Sequence, residues 1–255
     1  MSETLFIADL HLRPEAPTLI TRLHTVLERA QKARALYILG DLLDYWVGDD
    51  QPLHDSLRPA FEALKTLADS GVLLYLQHGN RDFLLGEKIA ARFGFTLIPE
   101  YQRIELDGHP ILLCHGDSLC TDDAAYQAMR AQFRHPAFQA EFLAKPLPER
   151  LAIATALRER SRQESSLKAQ DIMDVNSDAV RATLDAQGCH HLIHGHTHRP
   201  ALHRLTPPHA LRAVLGDWED AASLISHREG LLHLERIDES GTHIIDQAPL
   251  AHQPT

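Results

Sequence analysis

The sequence lacks the features of membrane-spanning and disulfide-rich proteins. No apolar run reaches the roughly 18 residues that a membrane-spanning helix needs. Residues 1–11 include Glu3 and Asp9 and have no basic region followed by an apolar stretch, so we expect no secretory signal. Only three of the 255 residues are cysteines, and none forms a Cys-x-x-Cys pair, which disfavours a disulfide framework or a thiolate zinc site. These absences predict a soluble, cytosolic protein.

An excess of basic charge is missing as well. The chain has 35 acidic and 25 basic side chains, a net charge of −10, which is poorly suited to binding along a nucleic-acid backbone. We therefore expect no nucleic-acid partner, and no obligate protein partner is evident. At 44% hydrophobic and 24% charged residues, the chain can build a substantial core, which excludes a disordered protein. Histidine, by contrast, is plentiful at 18 residues.

Short apolar runs alternate with helical periodicity in the first 80 residues. The runs at 5–8, 36–39 and 72–76 predict buried strands, and residues 17–32 and 55–69 show the spacing of amphipathic helices. This alternation indicates βαβ units and an α/β fold (α+β by some schemes), with helices on the faces of a sheet. Ligands of such sheets bind outside the carboxyl ends of the strands.

The rest of the chain does not continue this regular alternation of strands and helices. Its expected elements are a hairpin over 104–114 around Asp107-Gly108, a helical segment over 122–170 broken near 145–148, a helix over 175–187, a strand over 191–194, and mainly strands in the last 50 residues.

Five short polar motifs end predicted strands. They are Asp9-x-His11, Gly40-Asp41-x-x-Asp44, Gly79-Asn80-Arg81-Asp82, His115-Gly116-Asp117 and Gly195-His196-x-His198. Each motif alone is weak, because an Asp at a strand end more often caps a helix. Together they supply seven imidazole and oxygen ligands, which suit Mn, Fe or Zn and are about right for two metals sharing a carboxylate. Two such metals can activate water and support in-line displacement at phosphorus.

These motifs resemble those of the calcineurin-like metallophosphoesterase superfamily over residues 9–198. The resemblance implies a β-sandwich core flanked by helices, formed by 1–121 and 171–255, with 122–170 inserted as a helical lid. It also implies two Mn²⁺ ions. One would be held by Asp9, His11, Asp41 and His198, and the other by Asp41, Asn80, His115 and His196, with Asp41 bridging.

Arg81 departs from the superfamily pattern, which has histidine at this position as a proton donor to the leaving group. An alkoxide leaving group benefits from protonation, whereas a phosphate leaving group needs charge neutralisation, which a forked guanidinium supplies. Arg81 therefore favours cleavage of a pyrophosphate bond. The alternative is an arginine paired structurally with Asp82.

Longer runs make the resemblance more specific. Residues 5–12, Gly79-Asn80-Arg81-Asp82-Phe83-Leu84-Leu85-Gly86, 115–123, 172–176 and 193–200 are similar to the UDP-2,3-diacylglucosamine pyrophosphohydrolase family of lipid A synthesis. This implies attack of metal-activated water on the α-phosphorus of the UDP group. The products would be UMP and 2,3-diacylglucosamine 1-phosphate (lipid X).

The same resemblance implies the roles of individual residues. Asp41, Asn80, Arg81 and His115 would be catalytic. Substrate would be bound by Asn80, Arg81, Asp123, Ser161, Ser165, Lys168 and His196. Ser165 stands where the family often has asparagine, so it keeps a hydroxyl but loses the reach of the amide.

The lid segment 122–170 has a net charge of +2, whereas the rest of the chain carries −12. Its apolar residues recur at helical spacing, which fits either a hairpin packed on the core or a chamber for two acyl chains. The resemblance favours the chamber. It also implies peripheral attachment to the cytoplasmic face of the inner membrane.

Two rival functions remain open from the sequence. Another metallophosphoesterase could act on cyclic nucleotides, dinucleoside polyphosphates or other phosphodiesters, although Arg81 and the amphiphilic lid count against it. A non-catalytic scaffold of the same fold would have eroded ligand positions, yet all seven are intact. His78, His194, Asp44 and Asp82 are expected to orient neighbouring groups. Trp46 fits either the core or stacking on a base.

Overall fold

The computed structural model describes residues 3–167, 174–208 and 210–250, and of residues 160–167 only the backbone. In chain order the elements are β1 (Thr4–Ile7), α1 (Pro17–Ala30), β2 (Ala35–Leu39), α2 (Arg58–Asp69), β3 (Leu73–Gln77), α3 (Glu87–Phe93), β4 (Thr96–Ile98), β5 (Gln102–Leu106), β6 (His109–Leu113), α4 (Ala124–Arg134), α5 (Pro136–Leu143), α6 (Leu147–Leu167), α7 (Ser177–Gln187), β7 (His191–His194), β8 (Ala201–Arg204), β9 (Leu211–Val214), β10 (Ala222–Arg228), β11 (Leu231–Asp238) and β12 (Gly241–Pro249). None of the helices in these ranges is long and apolar enough to cross a membrane.

Two sheets form the core. One has seven strands in the order β12-β11-β10-β1-β2-β3-β4, in which β1 to β4 are parallel, and the other has five in the order β5-β6-β7-β9-β8. Phe6 of β1 belongs to the same apolar cluster as Ile111 and Ile193 of the second sheet. Leu5 and Ile7, on the other face of β1, pack with α1 and α2. Because both faces of β1 are covered, its sequence is a continuous apolar run rather than an alternating one.

The predicted α/β sandwich flanked by helices is confirmed, and most predicted elements are present at their predicted places. The hairpin turn has positive φ at both Asp107 (48°) and Gly108 (81°), the conformation that an Asp-Gly pair adopts in a two-residue turn. The periodicity did not predict α3 or β4, which have seven and three residues and are too short for a periodic signal. The predicted helix over 55–69 begins as a 3₁₀ turn, Asp55–Leu57, before α2.

Helices α4, α5 and α6 occupy the segment predicted as a lid, with a break between α5 and α6. Arg150 of α6, only 2% exposed, donates to the Val47 carbonyl and to Asp50. Arg158, further along α6, pairs with Asp44. These contacts join α6 to the loop after β2, so the helical segment lies against the strand ends that carry the polar motifs.

A buried ionic cluster lies beside the start of β1, at the opposite end of that strand from Asp9. Glu235 of β11 is 2% exposed and accepts hydrogen bonds from Arg29, Arg228 and Ser226. Burial acts to raise the pKa of Glu235, but these bonds outweigh it and lower the pKa to about 2.

We expect Glu235→Gln to destabilise the protein in a pH-dependent way. A lowered carboxylate pKa stabilises the fold above the ordinary value near 4.5, and this contribution is lost as the pH falls towards 2. Urea unfolding should therefore show a deficit of roughly 2 kcal/mol at pH 6 that shrinks at pH 3. Exposed Glu229→Gln, in the adjoining turn, is the control. A deficit that is equal at both pH values would contradict this prediction.

Candidate metal centre and active site

The strand ends of both sheets meet at one site. The segments after β1 and β2 run side by side, since the His11 amide donates to the Asp41 carbonyl at 2.9 Å. In the second sheet, β6 and β7 are parallel, and the Gly195 amide donates to the His115 carbonyl at 2.9 Å. Parallel strands place their carboxyl ends at one edge of each sheet, and the packing of the two sheets brings all five polar motifs together there.

The backbone is strained where the motifs lie. Among the described residues, seven other than glycine have positive φ, and five of them are predicted ligands: Asp9, His11, Asp41, His196 and His198. A residue with a side chain adopts this conformation at a cost, and such residues are concentrated at functional sites. The strained backbone is thus an independent indication that these five residues belong to a functional site.

Glycines allow the strands to approach closely. A Cβ at Gly79 would overlap Asp41, and one at Gly195 would overlap Asp9. Only a residue without a side chain fits at either place, which explains why glycine precedes Asn80 and His196 in the motifs.

Asp9, His11 and His198 form one group of possible metal ligands. Their ligand atoms lie within 4.8 Å of one another. His198 Nε2 lies 3.5 Å from Asp9 Oδ1 and 3.4 Å from His11 Nε2. Asp9 Oδ1 is buried and has no hydrogen-bond partner, and the same holds for His11 Nδ1. Buried polar atoms normally have partners, so unsatisfied atoms at a cluster of ligand side chains fit a cation site.

A second group shares Asp9 and adds Asp41 and His115. Asn80 joins it, because its Oδ1 lies 3.0 Å from His115 Nε2 and 3.0 Å from His196 Nδ1. Asp41 Oδ2 lies 3.8 Å from His115 Nε2 and 3.8 Å from His11 Nδ1. This oxygen is thus equally far from a member of each group, the position that a bridging carboxylate would take.

Burial keeps two of the imidazoles neutral. It lowers the pKa of His11 to about 3 and that of His196 to about 4. Neutral imidazole is the form that coordinates metals. The Nδ1–H of His115 donates to the Leu39 carbonyl at 2.8 Å, so Nε2, which faces Asn80 and Asp41, is the nitrogen that a metal would bind.

The carboxylates respond differently to the same burial. Burial raises the pKa of Asp41 to about 7, against the attraction of His115. For Asp9, burial acts in the same direction, but the His198 imidazole, 3.5 Å from Oδ1, holds its pKa well below the usual range. Burial also acts to lower the pKa of His198, yet its contacts with the Asp217 and Asp9 carboxylates raise it to about 10. Two buried carboxylates amid imidazoles form a donor set that suits a divalent transition metal.

The backbone and the side chain of Arg81 make separate contacts. Its amide donates to Asp41 Oδ1 at 2.8 Å, and its guanidinium Nη1 lies 3.8 Å from Asp44 Oδ1. The alternative pairing with Asp82 does not form, because the Asp82 carboxylate accepts backbone amides, including Gly79 at 2.9 Å and Leu42 at 2.8 Å. Asp82 therefore holds the loops in place, as the sequence led us to expect.

The predicted substrate contacts are described only in part. Asp123 caps α4, accepting the Tyr126 amide at 3.1 Å. The Tyr126 ring lies 5.7 Å from that of His196, so this helix start adjoins the ligand cluster. The side chains of Ser161 and Ser165 and the whole of Lys168 lie outside the described residues.

Motif reasoning did not find several residues around the site. Asp217 accepts from His198, Arg158 pairs with Asp44, and Arg134 donates to the Gly79 carbonyl at 2.8 Å. Four phenylalanine rings also stack in a row beside the site, in the order Phe83, Phe133, Phe138 and Phe142. The centroids of consecutive rings are 6.3, 5.2 and 6.5 Å apart. For Asp217 the sequence signal is the polar pair Gly216-Asp217 after an apolar strand, and for the phenylalanines of 122–170 it is their helical spacing.

A family model described as calcineurin-like phosphoesterase matches residues 3–200. The chain belongs to this family. Two solved structures share the fold, each with a TM-score of 0.51: Yfce, a phosphoesterase from E. coli, at 17% identity over 98% of this chain and 100% of that one, and Vacuolar Protein Sorting 29 from Cryptosporidium parvum, at 12% identity over 97% and 98%.

Curated relatives are more similar in sequence. A protein of Edwardsiella ictaluri (strain 93-146) is 49% identical over 95% of this chain and 91% of its own length. One of Pasteurella multocida (strain Pm70) is 47% identical over 90% and 95%, and one of Escherichia coli O81 (strain ED1a) is 49% identical over 87% and 93%. All three are named UDP-2,3-diacylglucosamine hydrolase. The family and the metallophosphoesterase fold expected from the motifs are thereby confirmed.

Proposed function

We propose that this chain hydrolyses the pyrophosphate bond of UDP-2,3-diacylglucosamine, releasing UMP and 2,3-diacylglucosamine 1-phosphate. The observation that carries the proposal is the identity of 47–49%, over nearly whole chains, to relatives named for hydrolysis of this substrate. The strand-end site supports it, because its ligand cluster suits hydrolysis at phosphorus.

The residues present fit a divalent metal, and we propose Mn²⁺ at two positions. Asp9, His11, Asp41 and His198 would hold one ion, and Asp41, Asn80, His115 and His196 the other. When bound, such ions supply Lewis acidity that activates water and offsets phosphate charge. The unsatisfied Asp9 Oδ1 and His11 Nδ1 support the first position, and the place of Asn80 Oδ1 between two imidazoles supports the second.

Arg81 is proposed to stabilise the charge on the transferring and departing phosphates. Its amide bond to Asp41 fixes the base of the side chain beside the metal ligands, while the guanidinium is 25% exposed and accessible to substrate. A guanidinium can bind two phosphate oxygens at once, and it does not lose its charge at any working pH.

The helical segment 122–170 is proposed as a lid over the lipid part of the substrate. The ring row that starts at Phe83 supports an acyl-binding role for its inner face. Asp123, Ser161, Ser165 and Lys168 would bind the polar part, together with Asn80, Arg81 and His196. Peripheral contact with the cytoplasmic face of the inner membrane is part of this proposal, because two acyl chains give the substrate a large apolar part.

The test is phosphorus NMR of chelator-stripped protein with UDP-2,3-diacylglucosamine, with and without Mn²⁺, Mg²⁺ or Zn²⁺. We expect UMP and the sugar 1-phosphate only when metal is added, with Mn²⁺ the most effective. In H₂¹⁸O, label should enter UMP, because water attacks the α-phosphorus. Label in the sugar phosphate would refute the site of attack. Cleavage of a generic phosphodiester without UMP release would support the metal site but refute UDP-2,3-diacylglucosamine as the substrate.

A further inference from the structure

His198 makes contacts in two opposite directions through its ring. Its Nε2 faces Asp9 and His11, at 3.5 and 3.4 Å, whereas its Nδ1 lies 3.2 Å from Asp217 Oδ2. A carboxylate can only accept a hydrogen bond, so Nδ1 must carry a proton in this contact. Because Asp217 fixes Nδ1 as the donor, Nε2 is the nitrogen that would offer its lone pair to a metal that replaces its proton.

Packing alone does not hold His198 in this orientation. Its side chain is 37% exposed, the most exposed among the clustered ligands Asp9, His11 and His198, and it lies in the left-handed region at φ 56°. His115, by comparison, is 2% exposed and is also bonded to a backbone carbonyl. An exposed imidazole keeps one rotamer and one tautomer only if a partner specifies them, and Asp217 is the partner of Nδ1 among the described contacts.

Asp217 is itself held by a rigid turn between β9 and β10. Arg22 of α1 donates to three successive carbonyls there, of Trp218 at 2.6 Å, Glu219 at 2.7 Å and Asp220 at 2.9 Å. The Trp218 side chain is 1% exposed. In addition, the Glu219 amide donates to Asp217 Oδ1 at 3.3 Å, which leaves Oδ2 for His198.

The same turn is tied to the backbone of His11. Arg13 Nη2 contacts Glu219 Oε1 and Oε2 at 2.9 and 3.2 Å, and its Nη1 donates to the His11 carbonyl at 3.4 Å. The turn 216–220 thus connects with the two histidines of one ligand group. The described contacts include no comparable link from this turn to His115 or His196.

We propose that Asp217 is a positioning residue for one metal position only, the one formed with Asp9, His11 and His198, where it sets the tautomer and direction of the His198 ring. This inference rests on the proposed metal site. It assigns a specific effect to a residue that none of the strand-end motifs contains. Loss of such a partner typically weakens metal binding by about 10–100-fold.

The test is Mn²⁺ binding to chelator-stripped Asp217→Asn, followed by calorimetry and by metal analysis at a fixed free Mn²⁺ concentration. We expect one of the two Mn²⁺ equivalents to bind about 10–100-fold more weakly and the other to be unchanged. More Mn²⁺ should restore kcat without changing KM for the lipid substrate. Asp220→Asn, three residues along the same turn and exposed, is the matched control and should bind like the wild type.

Asp217→Ala separates positioning from packing. Because the Glu219 amide holds Oδ1 of residue 217, the amide nitrogen of asparagine should face Nδ1 and place the ring proton on Nε2. Asparagine should therefore weaken binding at least as much as alanine. If the side chain only filled space, alanine would be the worse substitution. Equal weakening of both equivalents, or no weakening in a folded Asp217→Asn protein, would overturn the inference. If the wild type bound no Mn²⁺, both the proposed metal site and this inference would be refuted. That result is distinct from one in which the wild type binds two Mn²⁺ equivalents and Asp217→Asn binds them equally well.

Discussion

Asp41→Asn is expected to lower turnover of UDP-2,3-diacylglucosamine by roughly a thousandfold or more. The Asp41 carboxylate lies between the two ligand groups, 3.8 Å from a nitrogen of His11 and 3.8 Å from one of His115. Losing a bridging charge at both proposed metal positions removes several kcal/mol of transition-state stabilisation, which corresponds to about three orders of magnitude in rate. Initial rates of UMP release at saturating Mn²⁺ measure the effect.

The fold of Asp41→Asn should survive, because asparagine keeps an oxygen that can accept the Arg81 amide. Its unfolding midpoint in chelator at neutral pH should be at least that of the wild type, because asparagine removes a buried charge that burial disfavours. The increase on adding Mn²⁺ should be smaller than in the wild type. Asp55→Asn changes an exposed carboxylate outside the site and is the control. Turnover within tenfold of the wild type in a metal-reloaded Asp41→Asn protein would refute the assignment of Asp41 as a bridging ligand.

Arg81→His is expected to reduce pyrophosphate cleavage by about 100–1000-fold, the usual effect of losing one donor to developing charge. Histidine lacks the permanent charge and the fork that a phosphate leaving group needs. Because a histidine can protonate an alkoxide, hydrolysis of an alkyl phosphodiester should fall less, and the ratio of the two rates should shift towards the phosphodiester. Steady-state rates on both substrates give this ratio.

Metal binding should be unaffected in Arg81→His, since the contact with Asp41 is made by the backbone amide. Arg81→Lys, which keeps the charge but loses the fork, should fall between the wild type and the histidine variant. Arg92→His, on the exposed end of α3, controls for the substitution itself. Unchanged pyrophosphate cleavage in Arg81→His would show that the leaving group departs without help from this guanidinium.

The strand-end motifs could be predicted because they obey a local rule. A buried apolar run followed by Asp, Asn or His beside glycine identifies both the strand and its polar end, as at Asp9, Asp41 and Asn80. In a parallel sheet those ends must lie at one edge, so the meeting of these three motifs follows from the pattern. The motifs at His115 and His196 follow strands of the second sheet, and their place beside the first three depends on how the two sheets pack. The short elements α3 and β4 escaped prediction because seven and three residues carry no measurable period.

The amino-acid sequence by itself determined the family, the layered α/β core and the set of side chains that converge, because strand periodicity and motif order are local properties of the chain. Only the tertiary structure decided which groups support that set. Arg158 reaches Asp44 across 114 positions, Arg150 reaches Asp50 across 100, and Asp217 meets His198 through a turn between two other strands. Such pairs depend on how separate elements pack in three dimensions, and no spacing in the chain encodes them.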